Sequence, residues 1–206
     1  RTGKGQYIDL SQYEASIHYL GTTILDYTVN EREQERMGNR HSYAAPHGAY
    51  RCRGDDRWCV IAVFTDEEWA ALCKVIGSPM WAKNSKFATT LGRKESEDEL
   101  DALLEEWTTN HSAEEVVNKM QAEGVTAAAV KDCKDLFEDP QLNSRHHYQK
   151  VDHLRMGEYI CDAPPFRLSK TSCEPRTGSP LLGQHNEYVY KDILGMTEEE
   201  YCELLV

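Results

Sequence analysis

The stretch from Gly38 to Cys73, GNRHSYAAPHGAYRCRGDDRWCVIAVFTDEEWAALC, constrains the fold more than any other part of the chain. At its centre is an unbroken apolar run, Trp58 to Phe64. An apolar run of this length without polar alternation predicts a central strand covered on both faces. Before it, Gly54-Asp55-Asp56 has the chemistry of a hairpin turn, with Ala49–Arg53 as the partner strand. After it, Thr65 and Glu68 have capping-box spacing, which predicts a helix presenting Trp69, Leu72, Cys73 and Ile76 on one face. Gly77-Ser78-Pro79 should end that helix. The loop ahead of the hairpin, Ala44-Ala45-Pro46-His47-Gly48, is built of small residues. Backbone there can approach a ligand closely, and its amides could hold a carboxylate or oxyanion. The same residues also suit a tight turn that only feeds a strand.

Around this unit the pattern is helical. Ile8, Leu10, Tyr13, Ile17, Leu20, Ile24 and Leu25 predict a helix from Gln12 to Val29, opened by Ser11 and Glu14 as a capping box. Asn30–Arg36 reads as a charged linker. Residues 80–94 suggest an irregular or short-helical connection. Ser96 to Glu99 has capping-box spacing ahead of Leu100, Leu103, Leu104 and Trp107, and another helix opens at Ser112 with Val116 and Met120 inside. Val125–Val130 is a short strand candidate, and Lys131–Asp139 a polar helix ended by Pro140. The last third reads as short extended pieces over Asp152–Leu168, a Ser/Thr/Pro/Gly loop over Ser169–Gln184, a helix over Asn186–Leu194 and a capped terminal turn at Thr197. Composition thus divides the chain into residues 1–40, a compact α/β unit at 41–138, and a loop-rich tail at 139–206.

A net charge of −12 argues against a nucleic-acid partner, because neutralising phosphates needs a basic face. No apolar run is long enough to span a bilayer, so no membrane partner is expected. The seven cysteines are odd in number, loosely spaced and without a CxxC, which predicts reduced thiols acting as small apolar residues. No metal site is expected: HExxH is absent and the adjacent His146-His147 rings should diverge. GxSxG, Walker and GxGxxG motifs are also absent, and Gly3-Lys4-Gly5 is only a fragment of a phosphate loop. The acidic helix starts sit where the helix dipole favours them and need no catalytic role.

Several segments together resemble one family. Gly3-Lys4-Gly5-Gln6-Tyr7-Ile8-Asp9-Leu10-Ser11 with Glu14-Ala15 is similar to a segment of the family III CoA-transferases, the CaiB/BaiF group. So are Gly38-Asn39-Arg40 with Ala45-Pro46-His47-Gly48-Ala49-Tyr50, Asp56, Trp58 and Asp66-Glu67-Glu68-Trp69. Asp139-Pro140-Gln141-Leu142 with Arg145, and Pro180-Leu181-Leu182-Gly183-Gln184-His185, complete a collinear match. The resemblance implies an enzyme of the cytoplasm or an organelle matrix that moves coenzyme A from an acyl-CoA to a free carboxylate. Coenzyme A and acyl-CoA would then be substrates, with no tightly bound cofactor. A catalytic aspartate would form a mixed anhydride and then an aspartyl-CoA thioester. The family implies an α/β fold in an interlocked homodimer. Residues 41–138 would be the small domain, and 1–40 and 139–206 would complete a Rossmann-like large domain.

The match covers the C-terminal half of the family pattern, so the nucleophilic aspartate is expected outside this chain, which has no initiator Met and reads as a fragment. Asp9 follows the motif and begins a helix, so it is not expected to be that nucleophile. The chain should supply no catalytic residue and be inactive without the N-terminal half as its partner. Pro46, His47 and Gly48 are the substrate-loop candidates, and Gly48→Val is expected to alter turnover more than stability. An α-methylacyl-CoA racemase is an alternative, weakened because Thr65 stands where such enzymes carry a glutamate. Oxalate-type transferases close a Gly-rich loop, but Ala44 to Gly48 has one glycine. A non-catalytic, partner-binding subunit is the other alternative.

Overall fold

The computed structural model of the chain describes residues 3–171 and 173–204. It divides into two compact units, Arg1–Val130 and Lys131–Val206.

In the first unit the sheet comes from the stretch singled out by sequence. Strand β1, His47–Arg51, pairs antiparallel with β2, Trp58–Ala62, and β2 pairs antiparallel with β3, Thr126–Ala129, in the order β1-β2-β3. The predicted partner strand, Ala49–Arg53, begins two residues earlier. Gly54 and Asp56, at φ 122° and 49°, turn the chain so that Cys52 N–H meets the Arg57 carbonyl at 2.7 Å. Strand β2 is central, as expected, but only one of its faces is covered. Cys59, Ile61 and Val63 are buried, whereas Val60 and Phe64 are 40% and 39% exposed. The apolar run therefore reports two different environments: helices cover one face of the sheet, and the other lines an open groove.

The covering helices are α3, Asp66–Val75, then α4, Thr90–Glu95, α5, Glu97–Thr108, and α6, Ala113–Ala122. Helix α3 opens with a complete capping box, Thr65 with Glu68, and α6 with another, Ser112 with Glu115. The box expected at Ser96 does not form. Ser96 ends α4 and starts α5 at φ −112°, ψ 26°, and this non-extended backbone leaves its hydroxyl without a capping bond. Met80–Lys83 and Ser85–Phe87 are short 3-10 turns, as the irregular reading implied. Leu72, Phe87, Leu100, Leu104, Val116 and Met120 are fully buried with Ile61 and Val63. Each such side chain contributes about 1.5–3 kcal/mol by leaving water.

The N-terminal helix forms in two pieces, α1, Gln12–Ile17, and α2, Gly21–Asn30, joined by a 3-10 turn at His18–Leu20. Ser11 caps α1 by accepting from the Glu14 amide at 3.3 Å. Asp9 lies before this cap, outside the helix it was expected to begin. Neither piece buries a residue.

The second unit holds α7, Cys133–Phe137, α8, Pro140–Ser144, a hairpin of β4, Tyr148–His153, and β5, Gly157–Asp162, a π-helical turn at Tyr188–Ile193, and α9, Glu198–Glu203. Pro140 starts α8 as well as following α7; Asp139 caps it by accepting from Gln141 and Leu142 at 2.8 and 2.9 Å. Val151 and Tyr201 are the buried apolar residues described in this unit, so its core is small.

Candidate functional site

The candidate loop runs along the edge of the first sheet. Gly38, at φ 63°, turns the chain, and His41 and Ala44 form an isolated bridge. Ala44, Ala45 and Pro46 are buried, and the Ala45–Pro46 peptide is cis. Ala45 N–H donates to the Val63 carbonyl at 3.2 Å, and Val63 N–H donates to the Pro46 carbonyl at 2.9 Å. The loop is thus stitched to the chain leaving β2, and it delivers His47 and Gly48 directly into β1.

Two grooves flank this delivery point. One, of about 440 Å³, lies over the open sheet face, lined by Val60, Ala62, Thr126 and Ala128 with His47 and Gly48. The other, of about 470 Å³, runs between β1 and α5 and includes His47, Gly48, Tyr50, Asp98 and Asp101. His47 Nδ1 lies 2.5 Å from the Asn39 carbonyl oxygen. A carbonyl only accepts, so Nδ1 carries the proton. The ring also sits beside His41 and Phe64, at centroid distances of 5.3 and 5.9 Å.

Charge is distributed unevenly across the two grooves. The open-face groove is mainly apolar, whereas the second has an acidic wall. There Arg40 pairs with Asp98, lies 3.4 Å from Asp101 Oδ2 and 3.6 Å from Glu97. The Asp98 hydrogen bond raises the Arg40 pKa further, so this cation is already satisfied. Tyr50 Oη donates to Asp101 Oδ1 at 2.8 Å. Burial, followed by the charge of Asp101, pushes the Tyr50 hydroxyl far above its usual range. Burial also raises Asp101, against the lowering effects of Tyr50 and Arg40. This pair is a structural brace: an un-ionised phenol and a half-buried carboxylate tie β1 to α5.

Of the three sequence candidates, His47 and Gly48 line both grooves, and Pro46 lies behind them in the interior. Gly48 has less room than a loop glycine. A Cβ added there would meet Tyr50 Oη at 3.1 Å and Cζ at 3.2 Å. A side chain at 48 therefore meets the Tyr50–Asp101 brace, so Gly48→Val, expected to alter turnover more than stability, also bears on that brace. Thr65 spends its hydroxyl on the Glu68 amide at 3.2 Å, a capping role. Among the described residues no group of three His, Cys, Asp or Glu is placed to hold a metal ion. No helix among them is long and apolar enough to cross a membrane. The buried thiols of Cys52 and Cys59 are raised by desolvation, and Cys73 is pushed up to about 11, so none is poised as a thiolate nucleophile.

Sequence reasoning missed Arg93 and Lys94, which grip the loop from behind. Arg93 Nε donates to the Ala45 carbonyl at 2.8 Å, and Lys94 Nζ to the His41 carbonyl at 2.7 Å. No local pattern marks Arg93, because it sits on α4, a different helix from the buried Leu100 and Leu104 of α5.

Comparison with known proteins places these features in a family. The sequence profile of CoA-transferase family III matches residues 1–186. The succinyl-CoA–D-citramalate CoA-transferase of Chloroflexus aurantiacus is 32% identical over 99% of this chain and 50% of its own length. The succinyl-CoA–L-malate CoA-transferase beta subunit of the same organism is 30% identical over 99% of this chain and 51% of its own. A CaiB/BaiF family protein from Brucella suis superposes with a TM-score of 0.81 at 26% identity, over 93% of this chain and 49% of its own. The chain thus spans about half the length of these relatives. Its sequence along nearly its whole length and its α/β architecture agree, and the chain belongs to CoA-transferase family III.

Proposed function

We propose that the protein carrying this chain transfers coenzyme A between an acyl-CoA and a free carboxylic acid, and that residues 38–48 with β1 and β2 form one wall of the site. The observation that carries this reading is the pair of grooves meeting at His47 and Gly48, in a chain whose relatives are CoA-transferases. The apolar groove over Val60, Ala62 and Ala128 suits a carbon chain. The relatives' names point to short dicarboxylic acids as the acceptor class.

In this reading the chemistry is covalent carboxylate catalysis. An aspartate oxygen attacks the thioester carbonyl and expels the CoA thiolate, leaving a mixed anhydride. The thiolate then attacks the aspartyl carbonyl and releases the first acid. The acceptor carboxylate then attacks the aspartyl thioester carbonyl and expels the CoA thiolate, leaving a second mixed anhydride. The thiolate attacks its acyl carbonyl, forming the new acyl-CoA and freeing the aspartate carboxylate. Residues 1–206 supply no such aspartate, and the chain alone is inactive. Residues 41–138 act as the small domain, with 1–40 and 139–206 returning to a Rossmann-like large domain in an interlocked homodimer.

Incubating the intact protein with succinyl-CoA and a panel of dicarboxylic acids tests the reading. New acyl-CoA should appear, and His47→Ala should lower kcat/KM for the acceptor by about 10-fold or more. Absence of transfer with every pair, or an unaltered His47→Ala enzyme, would contradict it.

A further inference from the structure

Arg93 takes a charge into one of the most enclosed parts of the first unit, where its side chain has 0% exposure. Its guanidinium donates to the Ala45 carbonyl at 2.8 Å, the Phe87 carbonyl at 3.1 Å, Thr90 Oγ1 at 3.0 Å and Asp66 Oδ1 at 2.9 Å. It also lies over the Trp69 ring, 5.0 Å from the centroid. Among the described residues its carboxylate partner is Asp66, which is 60% exposed. Stability alone does not demand this arrangement, because apolar residues often replace buried ions without loss. A planar fork, however, fixes several acceptors in one geometry, which an apolar side chain or a lysine cannot do.

Those acceptors lie on separate segments: the loop before β1, the 3-10 turn ending at Phe87, the start of α4 and the start of α3. The neighbouring Lys94 holds the His41 carbonyl while bonded to both oxygens of Glu97, at 2.9 and 2.8 Å. Consecutive residues of α4 therefore grip the two ends of the 41–45 loop.

We propose that Arg93 is a positioning residue: by fixing the Ala45 carbonyl it sets the path along which His47 and Gly48 enter the grooves. Its expected kinetic effect rests on the transferase reading, whereas its effect on the loop does not. The test compares Arg93→Met and Arg93→Lys with the unaltered intact protein by amide hydrogen exchange and by kinetics.

Exchange at the Ala45 and Val63 amides should quicken about 10-fold in Arg93→Met, with the β2–β3 ladder unchanged, because local opening is separable from global unfolding. Arg93→Lys should restore part of the protection. The kcat/KM for the acceptor acid should fall about 10- to 100-fold, as displaced positioning groups cause, with KM for acyl-CoA little changed. Faster exchange spread evenly over the sheet, with unaltered kinetics for the folded protein, would overturn the proposal. If Arg93→Met fails to fold, Asp66→Ala removes only the exposed anchor; unaltered exchange at Ala45 would then overturn it. If the unaltered protein shows no transfer, the functional reading fails, while the exchange pattern still decides the role of Arg93.

Discussion

Helices α1–α2 and α5–α6 carry similar apolar periodicity and end in opposite environments. In α5 and α6, Leu100, Leu104, Val116 and Met120 have no exposed surface. In α1 and α2, Tyr13 is 77% exposed, Leu25 61% and Val29 68%. Helix propensity is lower in α2, with its Gly, Thr, Ile and Val, than in α5, with its Glu, Leu and Ala, yet both form helices, so propensity does not decide burial. The difference is the sheet: α5 and α6 close over β1–β3, and α1–α2 bury nothing. Periodicity announces that a face needs a partner without specifying which one. On the proposed reading, the partner of α1–α2 belongs to the large domain.

This contrast is open to mutation. Leu104→Ala should cost about 3 kcal/mol, as a cavity in a packed core does, whereas Leu25→Ala should change the stability of this chain by less than about 0.5 kcal/mol. Urea unfolding measures both, and equal losses would mean that α2 shares the core. Gly48→Ala tests the junction of core and groove. Pressing on Tyr50 Oη should cost about 1–2 kcal/mol as local overpacking, and no loss would place the hydroxyl elsewhere.

Asp101 supplies a smaller effect, read through pH. Burial raises its carboxyl above the ordinary value of 3.8, so the fold favours the protonated form. Stability contributed by this group is full below 3.8 and is lost as pH rises through the raised value. Asp101→Asn should therefore flatten that part of the pH–stability curve. An unchanged slope would contradict the direction of the shift.

These contrasts also show what could be read in advance. The caps at Thr65 and Ser112 were legible because a capping box is local, requiring only two residues at fixed spacing. Ser96 has the same spacing and fails because α4 runs straight into it, a backbone fact invisible in the residue pattern. The open face of β2 was misread for a related reason: Val60 and Ile61 look alike in sequence, and only the placement of helices separates them. The β4–β5 hairpin was read only as short extended pieces over Asp152–Leu168, and its start at Tyr148 was missed, because its strands are mixed in polarity. One cross-strand tie is charged, Lys150 to Glu158 at 2.7 Å. At the site, His47 and Gly48 were marked by the small-residue loop. Arg93 was not, because a buried cation gains its meaning from acceptors many residues away, such as Ala45.

The most direct test of the account traps the covalent intermediate. The intact protein is incubated with acyl-CoA, reduced with borohydride to convert an enzyme thioester to an alcohol, digested and mapped by mass spectrometry. The account predicts a single modified aspartate outside residues 1–206, with none of the carboxylates of this chain altered. Modification of a carboxylate within these residues, or turnover with no trapped adduct, would contradict it.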